Sequence, residues 1–377
     1  MMKFLITPDS FKESMSAVCA AKVIEKGVKR IAPDAQCIMV PMADGGEGTA
    51  ECLMFGQSGE KVNCSARNPL GETIVTDFVW FEKKKTAIIE VAKACGMMLI
   101  PSEKKNPKIA TSYGVGELIK EALKKECKEI ILTLGGTVTN DGGSGMLMAL
   151  GGKLLDQDGK NINPGGLALS QIRTIDLSEP IALLKDIKVT VLCDVKNKLL
   201  GENGATYVFG PQKGVTKNEL PVLEAAMEHY SQKINEVIGK NVADMEGAGA
   251  AGGLGNALFA ISKTEFVSGA EYVMKSLELE EKIKECDYVI TGEGAIDSQS
   301  LQGKVPISIS NIAKRYQKPV IVFVGKISGP MDEIYRNGVT AIFCILRGLK
   351  PMQKIFEEAE ENLQLAVENY VRVLVNK

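Results

Sequence analysis

The sequence has one histidine and one tryptophan among its 377 residues, aromatic residues make up only 5% of it, and arginine is scarce beside lysine. Each shortage excludes something. A single histidine, His229, cannot supply the several imidazoles of most zinc sites and leaves a Ser-His-Asp triad without support. It falls in the helix-patterned stretch 220–233 beside Glu224 and Glu228, and it reads as a helix-surface residue. With arginine scarce, an anionic ligand would be met by lysine and backbone N–H groups rather than by a guanidinium clamp. The nine cysteines never form a C-x-x-C pair. Most sit in apolar runs (Cys37, Cys193, Cys344) or helix patterns (Cys19, Cys52, Cys127), so they read as buried thiols in a reducing compartment. No uninterrupted apolar run reaches the length of a membrane span, and Asp9 breaks an N-terminal stretch already too short for a secretory signal. The net charge of −2 leaves no basic excess to hold nucleic acid or an anionic membrane. The expectation is a cytoplasmic protein with neither kind of partner.

What is present is alternation. Short apolar, β-rich runs at 3–7, 37–41, 87–92, 129–134, 189–193, 287–291, 319–324 and 341–346 are separated by amphipathic helical patterns. Runs apolar on both faces fit strands covered on both sides. Between them, Ala17, Ala20, Ala21, Ile24, Val28 and Ile31 keep the 3.6-residue period, as do Val115, Leu118, Ile119 and Ala122. A last helix is expected over about 352–374. Strand-helix alternation implies an α/β protein with mostly parallel sheet. The middle differs, with a short meander over 61–92 that turns at Asn68-Pro69-Leu70-Gly71. The expected organisation is a Rossmann-like or flavodoxin-like doubly wound domain built from both termini, 1–62 plus 285–377. A second α/β domain, 63–284, is inserted into it, with the active site in the cleft between them.

Polar, Gly-rich, acidic segments begin where these runs end. They are Thr7-Pro8-Asp9-Ser10-Phe11-Lys12, Ala43-Asp44-Gly45-Gly46-Glu47-Gly48-Thr49, Gly135-Gly136-Thr137 with Asn140-Asp141-Gly142-Gly143, Cys193-Asp194-Val195, and Thr291-Gly292-Glu293-Gly294-Ala295-Ile296-Asp297. Any one of them has a plain reading as a turn or a helix N-cap. Several at the carboxyl ends of parallel strands are where open α/β sheets bind ligands. Glycines admit an anion to backbone N–H groups, and carboxylates there can hold Mg²⁺ or take a proton. Two familiar nucleotide motifs fail. Gly247–Gly252 fits G-x-G-x-x-G but follows a polar stretch, not a strand, and Gly303-Lys304 has the wrong spacing for a Walker loop.

Together these segments resemble class I glycerate kinases. The likeness runs through Thr7–Lys12, Pro41–Thr49, Thr111–Ile119, Gly135–Met146, Cys193–Val195, Phe209–Gly214 and Gly247–Gly255 to Thr291–Gly294 with Asp297, Gln299, Ser300, Gly303 and Lys304. The resemblance implies ATP-dependent phosphorylation of D-glycerate, with 2-phosphoglycerate as the expected product and 3-phosphoglycerate as the lesser possibility. It departs at Asn197-Lys198-Leu199, where Lys198 stands in place of a usual proline.

Phosphoryl transfer needs amides and cations around phosphate, a carboxylate for Mg²⁺, and a base for the hydroxyl. Amides are assigned to Gly292, Glu293, Gly294 and the Gly135-Gly136 turn, and phosphate-neutralising charge to Lys12 and Lys304. Asp194 is the leading Mg²⁺ ligand and Asp297 the second; Asp44 is the leading base and Asp9 the second, and these four roles are open to permutation. ATP and Mg²⁺ are thus the expected cofactors, and D-glycerate the partner. The competing readings are an NAD-dependent hydroxy-acid dehydrogenase and a non-catalytic two-lobed acid-binding protein.

Overall fold

The computed structural model describes residues 1–297, 300–301 and 304–376. Gln299 and Gly303, named in the resemblance above, lie outside the described residues. The strands are β1 (Lys3–Ile6), β2 (Gln36–Met39), β3 (Glu60–Arg67), β4 (Thr73–Phe81), β5 (Thr86–Glu90), β6 (Glu129–Thr133), β7 (Lys153–Leu155), β8 (Thr174–Asp176), β9 (Lys188–Leu192), β10 (Thr264–Val267), β11 (Tyr288–Ile296), β12 (Val320–Ile327) and β13 (Val339–Cys344). The chain forms two compact α/β units. The first comprises Met1–Asp44, Glu51–Ser58 and Ala270–Lys377, the second Gly45–Ala50 and Gly59–Gly269.

The first unit holds a five-stranded sheet in the order β13-β12-β11-β1-β2, parallel throughout. Counted along this unit alone, the order is 2-1-3-4-5, a doubly wound sheet of flavodoxin type. Phe4, Leu5, Ile6, Val289, Ile290, Val322 and Phe323 are sealed from solvent, as strands covered on both faces must be. The helix Ala17–Ile31 begins where Ser16 Oγ accepts the Cys19 N–H at 3.2 Å, an N-cap that satisfies one of the free donors of the first turn. Its apolar stripe packs beside the C-terminal helix Ala359–Val375, whose Leu363, Val367 and Val371 are buried.

The second unit is built on a six-stranded sheet ordered β10-β9-β6-β5-β4-β3. The pairs β3–β4 and β4–β5 are antiparallel, and β5, β6, β9 and β10 run parallel. The β3–β4 turn is closed by Asn68, whose Oδ1 accepts the N–H groups of Leu70 and Glu72 at 2.9 and 3.0 Å. His229 ties its helix to a neighbouring turn through a 2.7 Å contact with the Ile172 carbonyl oxygen. No helix among the described residues is long and apolar enough to cross a membrane.

Several expectations need correction. Strand β11 continues through Gly292-Glu293-Gly294 to Ile296, paired with β12, where the composition suggests a loop. The last helical region is two helices, Met352–Glu357 and Ala359–Val375, interrupted at Glu358. The β7–β8 hairpin and β10 are too short and too polar to stand out as periodic runs. Cys344 is exposed, and Cys19, Cys37, Cys64 and Cys193 are half-buried; Cys52, Cys95, Cys127 and Cys286 are buried as expected.

Candidate active site

The strand order of the first unit reverses between β1 and β11, and the carboxyl ends of those strands mark the crevice in which such sheets take ligands. β1 leads to Thr7-Pro8-Asp9-Ser10. The register holds this segment against β11: the Thr7 N–H donates to the Ile290 carbonyl and the Asp9 N–H to the Gly292 carbonyl, each at 2.8 Å. β2 leads to Asp44, in a segment tied back by the Met42 N–H to the Pro8 carbonyl at 2.9 Å. Three carboxylates therefore share the switch point: Asp9, Asp44 and Glu293.

Their electrostatics follow from that crowding. Burial and the neighbouring Asp44 carboxylate, with Glu293 adding to them, push the Asp9 carboxyl up to about 7. The Ser10 N–H, which donates to Asp9 Oδ1 at 2.6 Å, and Lys12 oppose the rise without cancelling it. Burial also raises Glu293, against the pull of Lys304 and a hydrogen bond from Ser300. Lys304 Nζ lies 3.4 Å from Glu293 Oε2, 4.0 Å from Asp297 Oδ1 and 3.3 Å from the Ala295 carbonyl oxygen. Asp297 accepts the Ser300 N–H at 3.2 Å, so its carboxylate has a partner within the chain besides being a candidate ligand. Lys12 is exposed, and its backbone nitrogen lies close to Gly294. The first unit thus gathers Asp9, Lys12, Asp44, Gly292, Glu293, Gly294, Asp297 and Lys304 at one end of its sheet.

The second unit carries the remaining candidates. Strand β6 ends at Thr133, and the chain turns through Leu134-Gly135-Gly136-Thr137. Gly136 has φ +71°, the left-handed region that glycine tolerates. Among the described residues, the amides of Gly135, Gly136 and Thr137 meet no hydrogen-bond acceptor. Successive free N–H groups across a right-to-left-handed turn form an anion-binding concavity. Gly135 is half-buried and Gly136 exposed, so the concavity is open to a ligand. Asp194 follows β9 as an exposed carboxylate. Lys198, the departure from the family pattern, lies 3.3 Å from Asp244 Oδ1.

Three residues given no role in the sequence analysis support this end of the sheet. Glu90, buried at the end of β5, accepts the Ala50 N–H at 2.9 Å and so anchors the segment Gly45–Ala50. Asp141 is sealed from solvent and accepts from the Ser112 N–H, the Ser112 hydroxyl and the N–H groups of Gly143 and Gly145, at 2.8, 2.9, 3.2 and 3.3 Å. Lys213 is buried against Thr137 and Thr139, just after the Gly135-Gly136 pair. The glycine pair after Asp141 packs on the run 247–255: a Cβ on Gly252 would lie 2.0 Å from the Thr139 carbonyl oxygen, so no other residue fits there. That run holds left-handed residues and no preceding strand, which removes any dinucleotide fingerprint from it. Asp141 and Lys213 fall inside segments quoted for the resemblance, but nothing in a polar, Gly-rich stretch announces that a charge there is buried.

Among the described residues, no group of three or more His, Cys, Asp or Glu side chains forms a metal cage. Magnesium in phosphoryl-transfer sites is held by one or two carboxylates plus phosphate oxygens and water, a demand that carboxylates such as Asp194 and Asp297 can meet without a cage of three or more protein ligands.

Comparison with known proteins gives the same direction. Residues 4–375 match the glycerate kinase family. The chain is 44% identical to Glycerate 2-kinase of Escherichia coli K12, over 99% of this chain and 98% of that one. It is also 44% identical to Glycerate kinase of Bacillus subtilis 168, over 96% of this chain and 95% of the relative. A crystal structure of a candidate glycerate kinase 2 from Salmonella typhimurium LT2 superposes with a TM-score of 0.87 at 40% identity, covering 100% of this chain and 98% of that one. A chain matched from end to end in sequence and in fold, with an acidic switch point and an open amide concavity, belongs to the glycerate kinase family and is a kinase.

Proposed function

We propose that the chain is an ATP-dependent D-glycerate kinase of the class I type that forms 2-phosphoglycerate and ADP. The observation that carries this reading is Asp9: a carboxylate at the switch point of a parallel sheet, with its pKa near neutrality, is matched to taking a proton from a substrate hydroxyl. In the reaction, the C2 hydroxyl oxygen of glycerate attacks the γ-phosphorus. Its proton passes to Asp9, and the bond from phosphorus to the β,γ-bridging oxygen breaks to release ADP. Burial, with Asp44 and Glu293 adding to it, holds Asp9 basic enough for the task. The N–H groups of Gly135, Gly136 and Thr137 donate to phosphate oxygens, with exposed Lys12 supplying positive charge. Lys304 lies beside Glu293 and Asp297, which fits it to favouring the charged form of Glu293 as well as meeting phosphate. Asp194 and Asp297 are the candidate Mg²⁺ ligands; the metal, when bound, neutralises charge developing on the phosphates.

The 2-position is favoured by the likeness to the Glycerate 2-kinase of Escherichia coli K12. Phosphorus NMR of the product from D-glycerate, MgATP and the protein tests it. A 2-phosphoglycerate resonance is expected, a 3-phosphoglycerate resonance overturns the regiochemistry, and no glycerate-dependent ADP overturns the reading as a whole. Asp194→Asn should raise the Mg²⁺ concentration needed for half-maximal rate by about tenfold, with Tm unchanged because the carboxylate is exposed. An unchanged metal titration transfers the ligand role to Asp297.

A further inference from the structure

The free amides of the Gly135–Thr137 turn raise a question of rigidity. Three amides without acceptors among the described residues, with a left-handed glycine among them, have no reason of their own to keep one conformation. The turn is held from behind at four points. The Met97 N–H donates to the Gly136 carbonyl at 2.8 Å, and the Val138 N–H donates to the Cys95 carbonyl at 2.9 Å. The other two contacts come from one side chain: Lys213 Nζ donates to the Thr139 carbonyl oxygen at 2.7 Å and to Thr137 Oγ1 at 3.3 Å. Lys213 is only 2% exposed, and no carboxylate among the described residues lies within ion-pair distance of its ammonium. A buried ammonium without a contact counterion is unfavourable for folding, and an apolar side chain of similar length would fill the same space without that cost. The charge is explained if it serves the turn.

We propose that Lys213 is a positioning residue of the kinase, clamping the Thr137–Thr139 side of the Gly135–Thr139 turn so that its free amides keep the shape that receives the nucleotide phosphates. This rests on the reading of that turn as a phosphate site. The ammonium also places positive charge beneath the concavity, where water does not screen it. The titratable groups that face it are Cys95 and Asp141. Burial lowers Lys213 to about 8 and pushes the Cys95 thiol up to about 12, so of these two Lys213 is the group that changes charge near pH 8.

Steady-state kinetics of Lys213→Met against wild type test the proposal. KM for MgATP is expected to rise about tenfold, with kcat and KM for D-glycerate changed less than about twofold. In the wild type, KM for MgATP is expected to climb as pH passes about 8, whereas in Lys213→Met it is already high and flat with pH. An ordinary packing role moves Tm and leaves this split and this pH dependence untouched. Equal KM values for MgATP in the two proteins, or an effect confined to glycerate, overturns the proposal. If Lys213→Met does not fold, Thr137→Val removes one of the clamp's acceptors and is expected to raise the same KM about threefold; no rise there is equally fatal. The wild type separates this from the wider reading: a wild type without glycerate-dependent turnover refutes the function, while an active wild type matched by its variants refutes only the clamp.

Discussion

Asp9→Asn is expected to lower kcat by about a thousandfold and, at pH 8, to raise the stability of the unliganded protein. The two effects have one origin. The site holds the Asp9 carboxyl at about 7 by burying it and setting Asp44 and Glu293 against it. A carboxyl whose folded-state pKa is raised contributes most to stability below its unfolded pKa, and that contribution is lost as pH rises through the folded value. Between about pH 4 and 7, ionising Asp9 therefore works against the fold. Asparagine keeps the shape without the charge, so the variant should gain about 2 kcal/mol at pH 8 and nothing at pH 4. Asparagine cannot accept the hydroxyl proton, so general-base catalysis is lost, an effect of about a hundredfold to ten-thousandfold. For the wild type, kcat/KM should rise with pH to a plateau above about pH 7. Asp44→Asn distinguishes the two candidate bases. If Asp9 is the base, removing the Asp44 charge lowers the Asp9 pKa and moves the acid limb to lower pH while turnover survives. If Asp44 is the base, turnover collapses and the limb disappears. Thermal melts at pH 4 and pH 8 beside a pH-rate profile read all of these outcomes.

That Asp9 and Asp44 lie near one end of a parallel sheet is legible in the sequence because it depends on a rule of topology; the Glu293 carboxylate is not, since that segment reads only as a source of amides. Parallel strands put all their carboxyl ends on one side, and the segments of Asp9 and Asp44 follow β1 and β2. What was not legible was conformation within those segments. Gly292-Glu293-Gly294 has little intrinsic preference for a strand, yet it is one, because β12 offers a continuous ladder through Ile327. Tertiary pairing outweighed local propensity there, and Glu293 was thereby fixed beside Asp9 on rigid structure. Glu358 interrupts a run that is helical on both sides; Lys350 and Arg347 pair with its carboxylate. Asp141 and Lys213 are buried charges that the sequence does not reveal. A lysine after Pro211-Gln212 and an aspartate before two glycines both carry the pattern of surface turns. Their burial is made by segments far away in the chain, Ser112 for one and Thr137–Thr139 for the other, and no periodicity reports it.

Asp141 yields the largest stability effect expected anywhere in the second unit. Four donors converge on its carboxylate: two from Ser112 and one each from Gly143 and Gly145. The Ser112 hydroxyl in turn accepts the Met146 N–H at 3.1 Å, so the carboxylate holds the entry of one helix against the start of another. Burial still raises the Asp141 carboxyl despite those donors. Its charge is thus not what stabilises the fold; the sign is that of Asp9, with the contribution greatest at low pH and lost as pH rises through the raised value. What the fold needs is the set of acceptor oxygens. Asp141→Ala leaves those donors buried and unpaired, each costing about 1–3 kcal/mol before relaxation, and the net loss should be about 3–5 kcal/mol, or a fall in Tm of about 10 °C. Asp141→Asn keeps one acceptor oxygen and should lose less than half as much. Because Asp141 is sealed beneath its loop, kcat of the asparagine variant, assayed well below its melting temperature, should stay within about threefold of wild type. The opposite pattern, an unchanged melt with abolished turnover, would require the carboxylate to reach the reacting groups, which four hydrogen bonds and complete burial argue against.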